Sequence, residues 1–198
     1  MGKLTQNTKK MLAFWEETEK LKLIERIPVL SDGIRRENDA EHSWHLALML
    51  MTVRRELDIK FNLGHALELA IIHDLSEIDT GDAWVEMPEA KRKKHQAEKV
   101  AADRIFGILP HVTGKQLKDL WLEYEEGKTP EAKIVKALDK ICYSLQYGIS
   151  NKIVWEGEAC SDKRRKDYAL PYVGHDETLA AILEYYSELI DRNQKGQK

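Results

Sequence analysis

Cysteine is almost missing from this 198-residue chain, which carries only Cys142 and Cys160. Two cysteines make no disulfide framework, so a reducing compartment is the natural setting. Long apolar runs are missing too: none approaches the roughly 20 residues of a membrane span, and no membrane partner is expected. A charge excess is also lacking. With 31 basic and 34 acidic residues the net charge is −3, so no domain-wide positive field marks a nucleic-acid binder. Residues 1–10 are polar and basic without an apolar core segment, so no secretory signal is visible and a cytoplasmic location is expected. Alternating β-type runs are scarce, and neither an internal repeat nor a low-complexity linker interrupts the chain.

What is there fits a soluble globular protein: 42% hydrophobic and 33% charged residues. The length accommodates one domain over residues 1–198 with a sizeable core. Apolar residues recur at spacings of three and four, which predicts an all-α fold. Leu12, Phe14, Trp15, Leu21, Leu23 and Ile24 predict a first helix stopping near Pro28. Turn and capping residues from Ser31 to Asn38 predict a loop, followed by a second helix from about Asp39 to Leu57. A third should run from about Leu63 to Ile78. Others are expected over 89–106, 114–125 and 130–147, the last opened by Pro130. Residues 150–175, with Glu156-Gly157-Glu158 and the charge run Asp162 to Asp167, predict a mobile, solvated loop. A final helix over 176–191 should precede a polar tail, 192–198.

The third helix carries the chemistry. Ile71-Ile72-His73-Asp74-Leu75-Ser76-Glu77 sets a histidine and two acids into an apolar segment, which is costly unless something neutralises them. On a helix His73 and Asp74 can converge on one ion, and Glu77 shares their face. His42 follows the helix-start sequence Asn38-Asp39-Ala40-Glu41, and alone reads as a capping or surface histidine. Asp139 sits at the edge of the apolar face formed by Val135, Leu138, Cys142 and Leu145, where a salt bridge and a metal are equally good partners. Together, His42, His73, Asp74 and Asp139 make a two-histidine, two-carboxylate set. It suits one divalent ion among manganese, cobalt, iron, nickel, zinc and magnesium. Such an ion acidifies water and polarises a phosphoryl oxygen. Glu77, spare as a ligand, is placed to handle a proton. The remaining histidines (His45, His65, His95, His111 and His175) read as packing or surface residues rather than ligands of a second ion.

His42, then His73-Asp74, then Asp139, on successive helices, resemble the signature of the HD-domain metal-dependent phosphohydrolases, and within them the 5′-deoxynucleotidase branch. The similar stretches are Leu23 to Pro28, Glu37 to Ser43, His73 to Asp82 and Val135 to Asp139. The resemblance implies a single multi-helix HD domain with the metal site between central helices. It also implies metal ligands His42, His73, Asp74 and Asp139, and Glu77 acting on the catalytic proton or water. Asp82 would lie near the leaving group or sugar, and Arg26 would reach the substrate phosphate with its guanidinium fork. Competing readings are a surface arginine in a helix's last turn for Arg26 and a turn residue for Asp82. The branch has a tryptophan directly after the arginine, where this chain has Ile27. An aliphatic residue there still offers a contact to a sugar face, and Trp84 could supply an aromatic wall or be a core or interface residue.

These observations predict an enzyme, a metal-dependent phosphomonoesterase that hydrolyses (deoxy)nucleoside 5′-monophosphates to nucleoside and phosphate. The alternatives are an HD hydrolase for another phosphate ester (a cyclic nucleotide, a nucleoside triphosphate or a non-nucleotide) and a non-catalytic nucleotide sensor with a structural metal. The expected partners are a small nucleotide and, as a homodimer, a second copy of the chain; no nucleic acid is expected.

Overall fold

The computed structural model describes residues 3–83, 87–150 and 162–196. Helix α1, Gln6–Thr18, begins where the Thr5 hydroxyl accepts the Thr8 amide at 3.1 Å, a serviceable N-cap. It ends well before Pro28. A 3-10 turn, Glu19–Leu23, leads into strand β1, Glu25–Val29, which pairs antiparallel with β2, Arg36–Asn38. The expected first helix is therefore too long, because Pro28 drives Ile27 into extended backbone. Proline is tolerated here because in a two-stranded ribbon every strand is an edge. The connection between the strands turns on Gly33, whose φ of 67° lies in the left-handed region.

Helix α2, Asp39–Val53, is opened by a capping box: the Asn38 side chain accepts the Glu41 amide while the Glu41 carboxylate accepts the Asn38 amide. Helix α3, Leu63–Ile72, stops six residues short of the expected end. After it the Leu75, Glu77 and Ile78 amides donate to carbonyls three residues back, a tighter winding than the α-helix. The short α4, Glu77–Thr80, follows and is closed by Gly81 at φ 71°. Then come α5, Pro88–Gly107; α6, His111–Glu126; α7, Pro130–Ser150; α8, Asp162–Val173; and α9, Glu177–Gly196.

Two of these elements correct the sequence reading. Residues 162–173 of the expected loop are helical, because Ala169 and Val173, one turn apart, bury themselves in the main core, a pair the neighbouring charge run conceals. Residues 150–161 of that loop lie outside the described residues except Ser150, which ends α7. The last helix continues through most of the expected polar tail, to Gly196.

Helix α7 is the axis of the fold. It packs against α2, α3, α6, α8 and α9, and its Ile134, Val135, Leu138, Ile141 and Cys142 are buried in the main core together with Leu46 and Leu50 of α2 and Leu69 of α3. A second cluster, around Phe14, Ile105, Phe106 and Trp121, lies beneath α1, α5 and α6. Leu46 is fully buried one helical turn from His42. Leu46→Ala should cost about 3 kcal/mol, read as a lower denaturation midpoint in urea with an unchanged slope. Among the described residues no helix is long and apolar enough to cross a membrane.

Candidate metal and phosphate site

Four segments meet where α2, α3 and α7 pack together. His42, fully buried in the first turn of α2, presents Nε2 at 3.1 Å from Asp139 Oδ1 of α7 and 3.9 Å from Asp74 Oδ2. His73 caps the C-terminus of α3, and its Nε2 lies 3.0 Å from Asp74 Oδ2. Its Nδ1 is 2.8 Å from the Ala70 carbonyl, which can only accept, so Nδ1 carries the proton and Nε2 is the free lone pair. One donor atom from each of His42, His73 and Asp139 lies within 4.8 Å of the others. Asp74 joins them through its contact with His73.

The residues fit a divalent ion. Both imidazole Nε2 atoms are buried and make no hydrogen bond, although carboxylate oxygens stand 3.0–3.1 Å away. Nitrogens and oxygens turned on one point without bonding each other are what ligands of a shared cation require. The charge states agree for His42 and the two carboxylates, whereas at His73 burial is outweighed by the neighbouring Asp74, which raises the pKa, so a cation bound there would have to displace a proton. Burial, then the nearby Arg26 charge, lowers the His42 pKa to about 4, so that ring is neutral. Burial opposes ionisation of Asp74, but His73 and Arg26 outweigh it and hold the carboxyl well below the usual range. Asp139 is likewise held down against its burial, by Lys140 at 2.7 Å and by His42.

Arg26 comes from strand β1, not from a helix end, and is buried. That removes the surface reading and leaves a guanidinium beside the candidate ligands. Its Nη1 is 3.1 Å from Asp74 Oδ2 and 3.4 Å from Asp39 Oδ1. Its Nε faces Glu37 Oε2 at 3.5 Å, and Gln146 of α7 donates to the other oxygen of Glu37 at 2.9 Å. Glu77, expected on the face of His73, falls after the tightened turn into a separate group with Asp39 and Asp82. Lys94 of α5 holds Glu77 at 3.1 Å, and the other Glu77 oxygen is buried without a partner. Burial, then Asp74 and Asp82, pushes the Glu77 pKa well above its ordinary value. Asp39 is pushed up to about 8 by burial and by Asp74.

Arg26, His73, Asp74, Glu77, Lys94 and Asp139 line one cavity of about 290 Å³, which Ile27 and Asp82 also border. Trp84 lies outside the described residues. Glu37, Asp39 and Lys94 are members the sequence reading passed over. Glu37 and Asp39 read as turn and cap residues, and Lys94 lies in a run of basic residues, Lys91 to Lys94, that a solvated helix face would also carry. The one available signal for Glu37 and Asp39 was their place within five residues of His42 in the stretch Glu37 to Ser43; Lys94, outside every similar stretch, had none. Of the other histidines, His45 stacks on Trp44, His65 bonds Glu123, and His95 bonds Glu125 at the cavity's outer edge.

Residues 18–164 match the family described as HD domain. The chain belongs to the HD domain family and is an enzyme of its phosphohydrolase class. Among its relatives is the 5′-deoxynucleotidase HDDC2 of Danio rerio, 34% identical over 137 residues that cover 69% of this chain and 67% of the relative. The 5′-deoxynucleotidase HDDC2 of Xenopus laevis is 32% identical over 150 residues, 74% of this chain and 73% of that protein. A crystal structure of a "predicted metal-dependent phosphohydrolase" from Magnetospirillum magnetotacticum MS-1 superposes with a TM-score of 0.82 at 31% identity, covering 96% of this chain and 97% of the other.

Proposed function

We propose that the chain is a metal-dependent phosphomonoesterase that releases phosphate from nucleoside 5′-monophosphates, deoxynucleotides first among them. The observation that carries this reading is the buried Arg26 guanidinium, 3.1 Å from Asp74, beside two histidine nitrogens free to ligate an ion. His42, His73, Asp74 and Asp139 would hold one divalent ion, which when bound acidifies water and draws charge from phosphoryl oxygens. The relatives named 5′-deoxynucleotidases support the choice of substrate.

The chain's own groups then have distinct tasks. Arg26 grips the phosphate with its fork and stabilises charge on the phosphoryl oxygens as the bond to the sugar breaks. Glu77 takes the proton of the attacking water once it is itself ionised, a state that Lys94 at 3.1 Å favours against the burial and the acids that raise its pKa. Asp82, whose pKa burial raises, is suited to return a proton to the departing 5′ oxygen. Ile27, next to Arg26 on the cavity wall, offers an apolar contact to the sugar face. Trp15 and Trp44 are 58% and 66% exposed, and with the exposed Met11 and Tyr185 of the terminal helices they support a homodimer. A cytoplasmic location agrees with the near absence of cysteine.

The deciding experiment measures phosphate release from matched ribo- and deoxyribonucleoside 5′-monophosphates by metal-stripped enzyme reloaded with each ion. Release should depend on the ion and vanish with chelator. No release from any monophosphate, with hydrolysis of a cyclic nucleotide or triphosphate instead, would overturn the reading.

A further inference from the structure

The cavity extends past the metal and phosphate residues to a wall that those tasks leave unused. Tyr168 and Tyr172 of α8 border it, and both lie beyond the matched residues 18–164. Their rings are fixed to the site: Lys140 Nζ lies 5.6 Å from each ring centroid and 2.7 Å from Asp139 Oδ2. Lys91 of α5 stands 6.0 Å from the Tyr168 ring. The aromatic wall is therefore held between α5 and α7 by cation–π contacts and reaches the candidate metal ligand through a single side chain.

Lys136, one turn before Asp139, borders the same cavity. It differs from the other half-buried or buried cations there. Arg26, Lys94 and Lys140 each face carboxylates, whereas Lys136 has no carboxylate partner among the described residues. Its Nζ stands 4.0 Å over the Tyr124 ring. Its stem lies against Gly127, where a Cβ would meet Cδ and Cε at 3.1 Å. The ammonium is thus oriented by packing, with N–H donors left to offer to whatever enters.

We infer that Tyr168, Tyr172 and Lys136 form the nucleobase subsite, the tyrosines supplying an aromatic face and Lys136 a donor to a base carbonyl. This rests on the nucleotide reading above and adds base recognition to it. An aromatic wall suits any base, since each has a π face. A single directed ammonium does not treat bases alike: thymine, cytosine and guanine carry a carbonyl oxygen, and adenine offers only ring nitrogens. The subsite therefore favours carbonyl-bearing bases over adenine.

The test is calorimetric titration of metal-loaded enzyme with thymidine, deoxyguanosine and deoxyadenosine, which lack phosphate, and with 2-deoxyribose 5-phosphate, which lacks a base. Tyr168→Leu should weaken all three nucleosides about tenfold and leave the sugar phosphate unchanged, while Tyr168→Phe keeps the ring and the affinity. Lys136→Met should weaken thymidine and deoxyguanosine about tenfold and deoxyadenosine little. Nucleoside affinities unchanged in both Tyr168→Leu and Lys136→Met would overturn the inference. So would an equal fall for 2-deoxyribose 5-phosphate in Lys136→Met, which would make Lys136 a phosphate-binding residue instead. If Tyr168→Leu does not fold, Lys136→Met decides alone. Nucleosides that bind in this pattern to an enzyme releasing no phosphate would uphold the subsite and remove only the assigned reaction.

Discussion

Asp74→Ala is expected to yield a protein that neither keeps a divalent ion through dialysis nor releases phosphate above background, a loss on the order of 10³-fold or more. One carboxylate oxygen serves both halves of the candidate site, standing 3.0 Å from His73 Nε2 and 3.1 Å from Arg26 Nη1. Truncation removes a ligand and leaves Arg26 without the negative charge nearest to it in a buried setting. Breaking such a pair costs about 3–5 kcal/mol, so the variant should also melt earlier than wild type. Chelating the wild-type protein should reproduce the loss of turnover, because the ion would acidify the attacking water, and should lower the melting temperature, because an ion binds only the folded state. Elemental analysis and phosphate release decide the matter. Stoichiometric ion with turnover within tenfold of wild type would remove Asp74 from the ligand set.

Glu77→Gln is expected to separate the two properties: ion content stays at the wild-type level while kcat falls about 10²–10⁴-fold, the range for a lost general base. The replacement has the same shape, so the turn after α3 and the Lys94 contact region are minimally disturbed. Glu77 stands with Asp39 and Asp82 rather than with His42, His73 and Asp139, and one of its oxygens is buried without a partner. A carboxylate needed for holding the ion would give a different result, loss of ion and of activity together. Hydrolysis by Glu77→Gln at the wild-type rate would show that the proton goes elsewhere.

The helical architecture was legible because α2, α5, α6, α7 and α9 carry their own start signals and apolar periodicity. Asn38 with Glu41, Pro88 and Pro130 each mark an opening the structure keeps. Which residues assemble was legible for the opposite reason: a histidine and acids in an apolar segment are expensive enough to stand out. The misjudged points lie where periodicity carries little information. Nothing in the apolar pattern of Leu63 to Ile78 marks the change of winding after Ile72, because isoleucine, leucine and alanine suit either helix. Arg26 looked like a helix-end cation because Leu21, Leu23 and Ile24 extend the spacing of α1, although Pro28 already limits Ile27 to extended backbone. In α8 a two-residue apolar contact, Ala169 and Val173, is outweighed by six charged neighbours. Glu37 and Asp39 were hidden as ordinary turn and cap residues, since burial beside Arg26 arises only when the hairpin folds onto α7.

The Gln146–Glu37 hydrogen bond joins positions 109 apart, and the Arg26–Asp74 contact positions 48 apart. An unfolded chain therefore holds no more of the site than the adjacent His73–Asp74 pair, and the rest waits for long loops to close. Folding must come first and ion uptake afterwards, so the rate at which refolding protein captures an ion reports the arrival of α7 against α2 and α3. A chain trapped with α7 undocked could be helical by circular dichroism and still be unable to compete with a metal indicator.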